Sequence, residues 1–117
     1  MINRPTYKEL NRKINLAKEF VINNQFDIVD PVPFALDLIE LDCDADQKTI
    51  SAILDEITPN DYVGTRPPQK SYKNKIKGVD LFAFAWESTK LGCKVYFKFG
   101  IINDTLWLVS LHKDKIQ

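Results

Sequence analysis

The residues best suited to chemistry lie near the C-terminus. Lys94, Tyr96 and Lys98 alternate with Val95, Phe97 and Phe99, and the one histidine of the chain closes the run Leu108-Val109-Ser110-Leu111-His112. In a β-strand every second side chain shares a face, so the two lysines and the tyrosine project together. This set suits cleavage of an RNA backbone. The 2′-hydroxyl needs a general base, the pentavalent phosphate needs cations, and the departing 5′-oxygen needs an acid. Histidine side chains titrate near neutral pH, tyrosine donates or accepts a hydrogen bond, and lysine supplies positive charge without a metal. His112, Tyr96 and Lys98 are therefore candidate catalytic residues. A solvated sheet face would carry the same residue types.

Other chemistries are poorly served. Asp42-x-Asp44-x-Asp46 begins like a calcium loop, but Gln47 stands where a glycine is required and Ile53 where a bidentate glutamate is required. The four glycines, at 64, 78, 92 and 100, are scattered and form no phosphate-cradling loop. No Ser/His/Asp or Cys/His triad has support beyond the presence of those residues. Cys43 and Cys93 lie fifty positions apart with a single histidine elsewhere, so neither a zinc nor a haem site is expected and no cofactor is predicted. Reduced thiols in the cytosol are the expectation. No apolar run is long enough for a membrane-spanning helix, and Met1-Ile2-Asn3-Arg4-Pro5 lacks the apolar core of a secretory signal, so a cytoplasmic protein without membrane contact is predicted.

The formal charge is zero, from 16 basic and 16 acidic side chains, but it is unevenly spread. Residues 1–60 carry 6 basic and 11 acidic groups, and residues 61–117 carry 10 basic and 5 acidic groups. A basic half is the electrostatic footprint of a polyanion partner, although two solvated faces of unequal composition would look the same. Arg66, Lys70, Lys73, Lys75 and Lys94 are the candidate RNA-binding residues, together with Lys98.

The elements that must position these groups follow from periodicity. Thr6-Tyr7-Lys8-Glu9 has the capping-box pattern, and Leu10, Ile14, Ala17 and Val21 follow at helical spacing, predicting a helix over 7–22 closed by Asn23-Asn24. Asp30-Pro31 starts a short second helix with Phe34, Leu38 and Leu41 inward. Asp46 heads a third, whose stripe is Ile50, Ile53, Leu54 and Ile57, ended by Thr58-Pro59. The period then changes from 3.6 to 2. Residues 80–86, 94–102 and 105–112 read as three strands, with a turn at Asn103-Asp104. The predicted fold is one α+β domain over 1–117: a helical part at 1–58, a basic loop at 59–79 and a three-stranded antiparallel meander at 80–113, with the helices packed on its Phe97/Phe99/Val109 face.

Register decides which polar groups meet. A two-residue turn at Asn103-Asp104 would set Val95 against His112 and Phe97 against Ser110, mixing apolar with polar. A three-residue loop sets Phe97 against Leu111, Phe99 against Val109 and Ile101 against Trp107. It also sets Tyr96 against His112 and Lys98 against Ser110. The hydrophobic pattern selects the second register, which gathers Tyr96, Lys98, Ser110 and His112 on the open face.

Val95-Tyr96-Phe97-Lys98-Phe99 followed by Leu108-Val109-Ser110-Leu111-His112 resembles the C-terminal hairpin of MqsR-like toxins, members of the RelE-like superfamily of bacterial mRNA interferases. Thr58-Pro59-Asn60-Asp61-Tyr62 resembles the segment that closes that family's helix and enters its sheet. Gly78-Val79-Asp80-Leu81-Phe82 resembles its first meander strand. The resemblance covers about residues 50–113. It implies a RelE-like fold and a metal-independent endoribonuclease that cuts mRNA, free or on the ribosome, and is silenced by a cognate antitoxin in a type II toxin-antitoxin pair. It also implies that Tyr96 matches a strand tyrosine used in cleavage and that His112 falls where relatives have a basic residue. Asp61-Tyr62 is followed by Val63-Gly64 rather than a lysine, leaving Arg66 as the nearest cation, and Val79 replaces a polar residue. The alternative is a small non-enzymatic interaction module of the same fold, binding a protein through its sheet face.

Overall fold

The structure, a computed structural model, describes residues 5–64 and 76–114. Helix α1 spans Tyr7–Ile22. Its capping box is formed: the Thr6 hydroxyl accepts from the Glu9 N–H at 3.1 Å, and the Glu9 carboxylate accepts from the Thr6 N–H at 3.4 Å. At the other end Asn24 takes a left-handed conformation, φ 59°, and Gln25 N–H donates back to the Phe20 carbonyl at 2.7 Å. An asparagine tolerates this conformation, and the reversal closes the helix. The Gln47 amide donates to the Val21 and Ile22 carbonyls, 2.9 and 2.8 Å away, satisfying acceptors that the helix end leaves open.

Helix α2 is Pro31–Leu41 and α3 is Gln47–Glu56, the latter capped by the Asp46 carboxylate on the Thr49 N–H at 2.8 Å. The inward stripes are the predicted ones. Leu10, Ile14, Ala17 and Val21 of α1, Phe34, Leu38 and Leu41 of α2, and Ile50, Ile53 and Leu54 of α3 lie in one core with one face of the sheet. That face brings Phe82, Phe84 and Trp86 together with Val95, Phe97 and Phe99 and with Leu106, Leu108 and Leu111. The Phe84 and Phe99 rings stack 5.8 Å apart. Fully burying one such side chain contributes about 1.5–3 kcal/mol, so this layer holds the sheet to the helices.

The sheet corrects the expected fold. It is not a three-stranded antiparallel meander but a four-stranded mixed sheet in the order β1-β4-β3-β2, although the α+β class holds. Strands β2 (Leu81–Ser88), β3 (Cys93–Ile102) and β4 (Thr105–Lys113) form the antiparallel part. The additional strand, β1, is Phe26–Ile28 and pairs parallel to β4 through Phe26–Leu106, Asp27–Trp107 and Ile28–Leu108. Three residues are too few to display an alternating pattern, so this strand within the expected helical part has no period to read. The Val29 N–H extends this pairing by donating to the Leu108 carbonyl at 3.1 Å, and α2 packs against β4.

Of the expected loop at 59–79, residues 59–64 and 76–79 are among the described residues. Pro59–Asp61 is a single 3₁₀ turn, with the Asp61 carboxylate accepting from the Thr58 N–H at 2.9 Å. Tyr62 bridges to Phe84 on the edge of β2. Ile76 is buried with Val29 and Leu81 in a second, smaller cluster on the opposite face of the sheet, joined by Val79, Trp107 and Val109. Val109 therefore lies on the face opposite the main core, not on the Phe97/Phe99 face as expected.

Both candidate registers are present, in different stretches of one hairpin. Near the turn, Ile102 pairs with Thr105 and Phe99 with Leu108, the two-residue register. Beyond a shift at Lys98/Phe99, Lys98 pairs with Ser110, Phe97 with Leu111 and Tyr96 with His112. Val109 is the extra residue of a β-bulge. It resolves the conflict between a two-residue turn and the hydrophobic pattern by adding one position to β4 alone.

Candidate functional site

Alternation on β3 sends Val95, Phe97 and Phe99 into the core, where all three are fully buried, and turns Lys94, Tyr96 and Lys98 to the other face. The bulge at Val109 then brings Ser110 and His112 of β4 to the same face. On the β2 side the positions opposite Tyr96 and Lys98 are Ala85 and Ala83. Ala83 is fully buried and Ala85 half-buried, so Tyr96 and Lys98 are the larger side chains on this stretch of the face.

At the centre of this face Tyr96 and His112 stack, their ring centroids 5.0 Å apart and their planes at 20°. Near-parallel rings place the phenol O–H and the imidazole nitrogens at ring edges, so the contact is a stack and not an in-plane hydrogen bond. The His112 Nδ1 lies 2.8 Å from the Lys113 carbonyl oxygen. A carbonyl only accepts, so that nitrogen carries the proton in this contact, which leaves Nε2 with a lone pair in the neutral ring.

Tyr96 and Lys98 are shifted in opposite senses by the same cause. Burial pushes the Tyr96 phenol above its ordinary value, and the Asp114 carboxylate adds to the shift. The phenol is thus held protonated, as a donor. Burial alone pulls Lys98 below the ordinary lysine range, because removing water disfavours the charged form. Lys98 and Ser110 also line a cavity of about 210 Å³, whose other walls include Phe34 and Asp37 of α2, Leu81 and Val109.

The fold therefore gathers Tyr96, Lys98 and His112 on one surface, with Ser110 beside them. Lys94 is exposed on the same face, opposite Glu87. Arg66, Lys70, Lys73 and Lys75 lie outside the described residues. Asp114 is the residue that sequence reading passed over, although period-two spacing after His112 was the available signal. Cys43 and Cys93 are both unbridged. Among the described residues no group of three or more His, Cys, Asp or Glu is placed to hold a metal ion, and no helix is long and apolar enough to cross a membrane.

No protein-family model matches this chain, and no curated protein matches it.

Proposed function

We propose that this chain is a metal-independent endoribonuclease acting on mRNA in the cytoplasm, the toxin of a type II toxin-antitoxin pair and a relative of the MqsR-like toxins it resembles. The observation that carries the reading is the Tyr96–His112 stack, with the Nδ1 of His112 engaged and its Nε2 without a partner among the described residues, beside the half-buried cation Lys98.

In this reading Nε2 of neutral His112 takes the proton of the 2′-hydroxyl. The 2′-oxygen forms a bond to phosphorus, and the bond from phosphorus to the 5′-oxygen breaks. The products are a 2′,3′-cyclic phosphate and a 5′-hydroxyl. Tyr96, held protonated by burial and by Asp114, gives its proton to the leaving 5′-oxygen, and the proton that His112 took up returns to Tyr96 through water. Lys98 offsets the negative charge that grows on the phosphorane, where a water-poor site makes one cation worth more than in bulk solvent. Lys94 and the basic segment of Arg66, Lys70, Lys73 and Lys75 hold the RNA backbone. The cognate antitoxin silences the enzyme by covering this cationic face.

Induced expression in bacteria tests the reading. Wild type should arrest growth, co-expression of the product of an adjacent small reading frame should relieve the arrest, and His112→Ala should be harmless at equal protein level. Growth unaffected by the wild type would overturn it.

A further inference from the structure

Helix α2 has an apolar side that the fold does not use. Phe34, Leu38 and Leu41 enter the core, yet Val32, Leu36 and Ile39 are 71%, 63% and 74% exposed. At 100° per residue these three fall within about 60° of one another, on the side of the helix opposite the buried stripe, and they run about 10 Å along it. A helix that is apolar on both sides is normally covered on both.

The surroundings of this stripe say what would cover it. From Pro31 to Asp46, α2 and the segment after it, the chain has five carboxylates and no lysine or arginine, and Lys90 is the cation that acts on Cys43 there. Glu40, Asp42 and Asp44, at the C-terminal end of α2 and just beyond, are exposed, and none forms an ion pair among the described residues. RNA is disfavoured here by its phosphates. A second copy seated α2 against α2 is disfavoured because the two acidic rims would face each other, and like charges across an interface are costly. An apolar stripe with an acidic rim is complementary to an amphipathic helix whose polar margins are lysine or arginine.

We infer that the outer face of α2 docks a basic amphipathic helix of a partner protein through Val32, Leu36 and Ile39, with Glu40, Asp42 and Asp44 pairing its cationic margins. The inference does not rest on the ribonuclease reading, because α2 presents this face away from the core it shares with the sheet.

The test uses the full chain and a synthetic peptide of about 18 residues, leucines at helical spacing and lysines elsewhere, long enough to fold on binding. The control peptide has glutamate in place of every lysine. Calorimetry should show that the lysine peptide binds, that added salt weakens it and that the glutamate peptide does not bind. Leu36→Ser combined with Ile39→Ser should weaken the lysine peptide at least about tenfold, as expected when central apolar anchors are lost. Glu40→Lys, which leaves the apolar stripe intact, should also weaken it. Both variants should keep the wild-type circular dichroism spectrum and RNA cleavage, so failure of this inference is separable from failure of the proposed function. Absence of lysine-peptide binding would overturn the inference, as would equal binding to the double serine variant or equal binding of the glutamate peptide. A wild-type dimer in sedimentation that the serine variant dissociates would also overturn it, by making the occupant a second copy.

Discussion

Lys98 carries a conflict between stability and use. Its ammonium is drawn into a half-buried position where burial disfavours the charge, so the folded state holds the proton less tightly than the unfolded chain does. Stability from this residue therefore rises as pH climbs through its lowered folded-state value toward that of an ordinary lysine. Replacing Lys98 by Met keeps the stem and removes the buried charge. Thermal unfolding at neutral pH should show a higher Tm for Lys98→Met, while RNA cleavage is lost. The alkaline limb of the cleavage profile should begin below the ordinary lysine range, because burial pulls Lys98 down. Lys98→Arg should move that alkaline limb upward. A variant with lower Tm and unchanged alkaline limb would contradict both statements.

At the scale of elements, the sheet is clamped to α3 by Glu56. The Trp86 indole N–H and the Ser88 hydroxyl donate to one carboxylate oxygen at 2.9 and 2.7 Å, and the Lys90 N–H donates to the other at 2.8 Å. Burial pushes this carboxyl upward, but the hydrogen bonds from Trp86, Ser88 and Lys90 outweigh it and hold it below the ordinary range. The sign is that of a depressed acid: its stabilisation is complete above the ordinary carboxylate range and is lost as pH falls through the lowered value. Glu56→Ala leaves the buried Ser88 hydroxyl and the Trp86 N–H without this acceptor, at a cost of about 1–3 kcal/mol in chemical denaturation. Glu56→Gln should remove this part of the acid dependence.

Neither the clamp nor β1 was legible in the sequence. A glutamate at a helix end reads as solvated charge until the fold brings Trp86 and Ser88 to it, and Phe26-Asp27-Ile28 is too short to show a period. The long elements were legible because each has its own repeating stripe. The register was legible only in part. The pairing of Tyr96 with His112 followed from matching Phe97 to Leu111, but the device that achieves it, a two-residue turn plus a bulge at Val109, depends on both demands being met at once.

For the whole molecule, the two halves of the chain differ in charge, and the proposed partners, an RNA and a basic helix, divide along that split. The open sheet face carries Lys94 and Lys98 within a half that has 10 basic and 5 acidic side chains, whereas α2 lies in the acidic half. Affinity for single-stranded RNA should fall steeply as salt is raised. Each lysine that neutralises a phosphate contributes about 0.7 to the slope of log affinity against log salt. Lys94→Ala should reduce that slope by about this amount, as read in a filter-binding titration. Val32→Ser on α2 should leave it unchanged. Equal slopes for wild type and Lys94→Ala would remove Lys94 from the interface.

The central claim is that His112, supported by Tyr96 and Lys98, moves the proton in a cleavage that needs no metal. Its most direct measurement is single-turnover cleavage of a single-stranded RNA by the purified chain in excess chelator, comparing wild type with His112→Ala. Wild type should cut and leave 2′,3′-cyclic phosphate ends. His112→Ala should be slower by about 10²–10⁴-fold, the usual loss for a general acid or base, while keeping its fold and its RNA affinity. Cleavage by His112→Ala at the wild-type rate, or wild-type cleavage abolished by the chelator, would contradict the account.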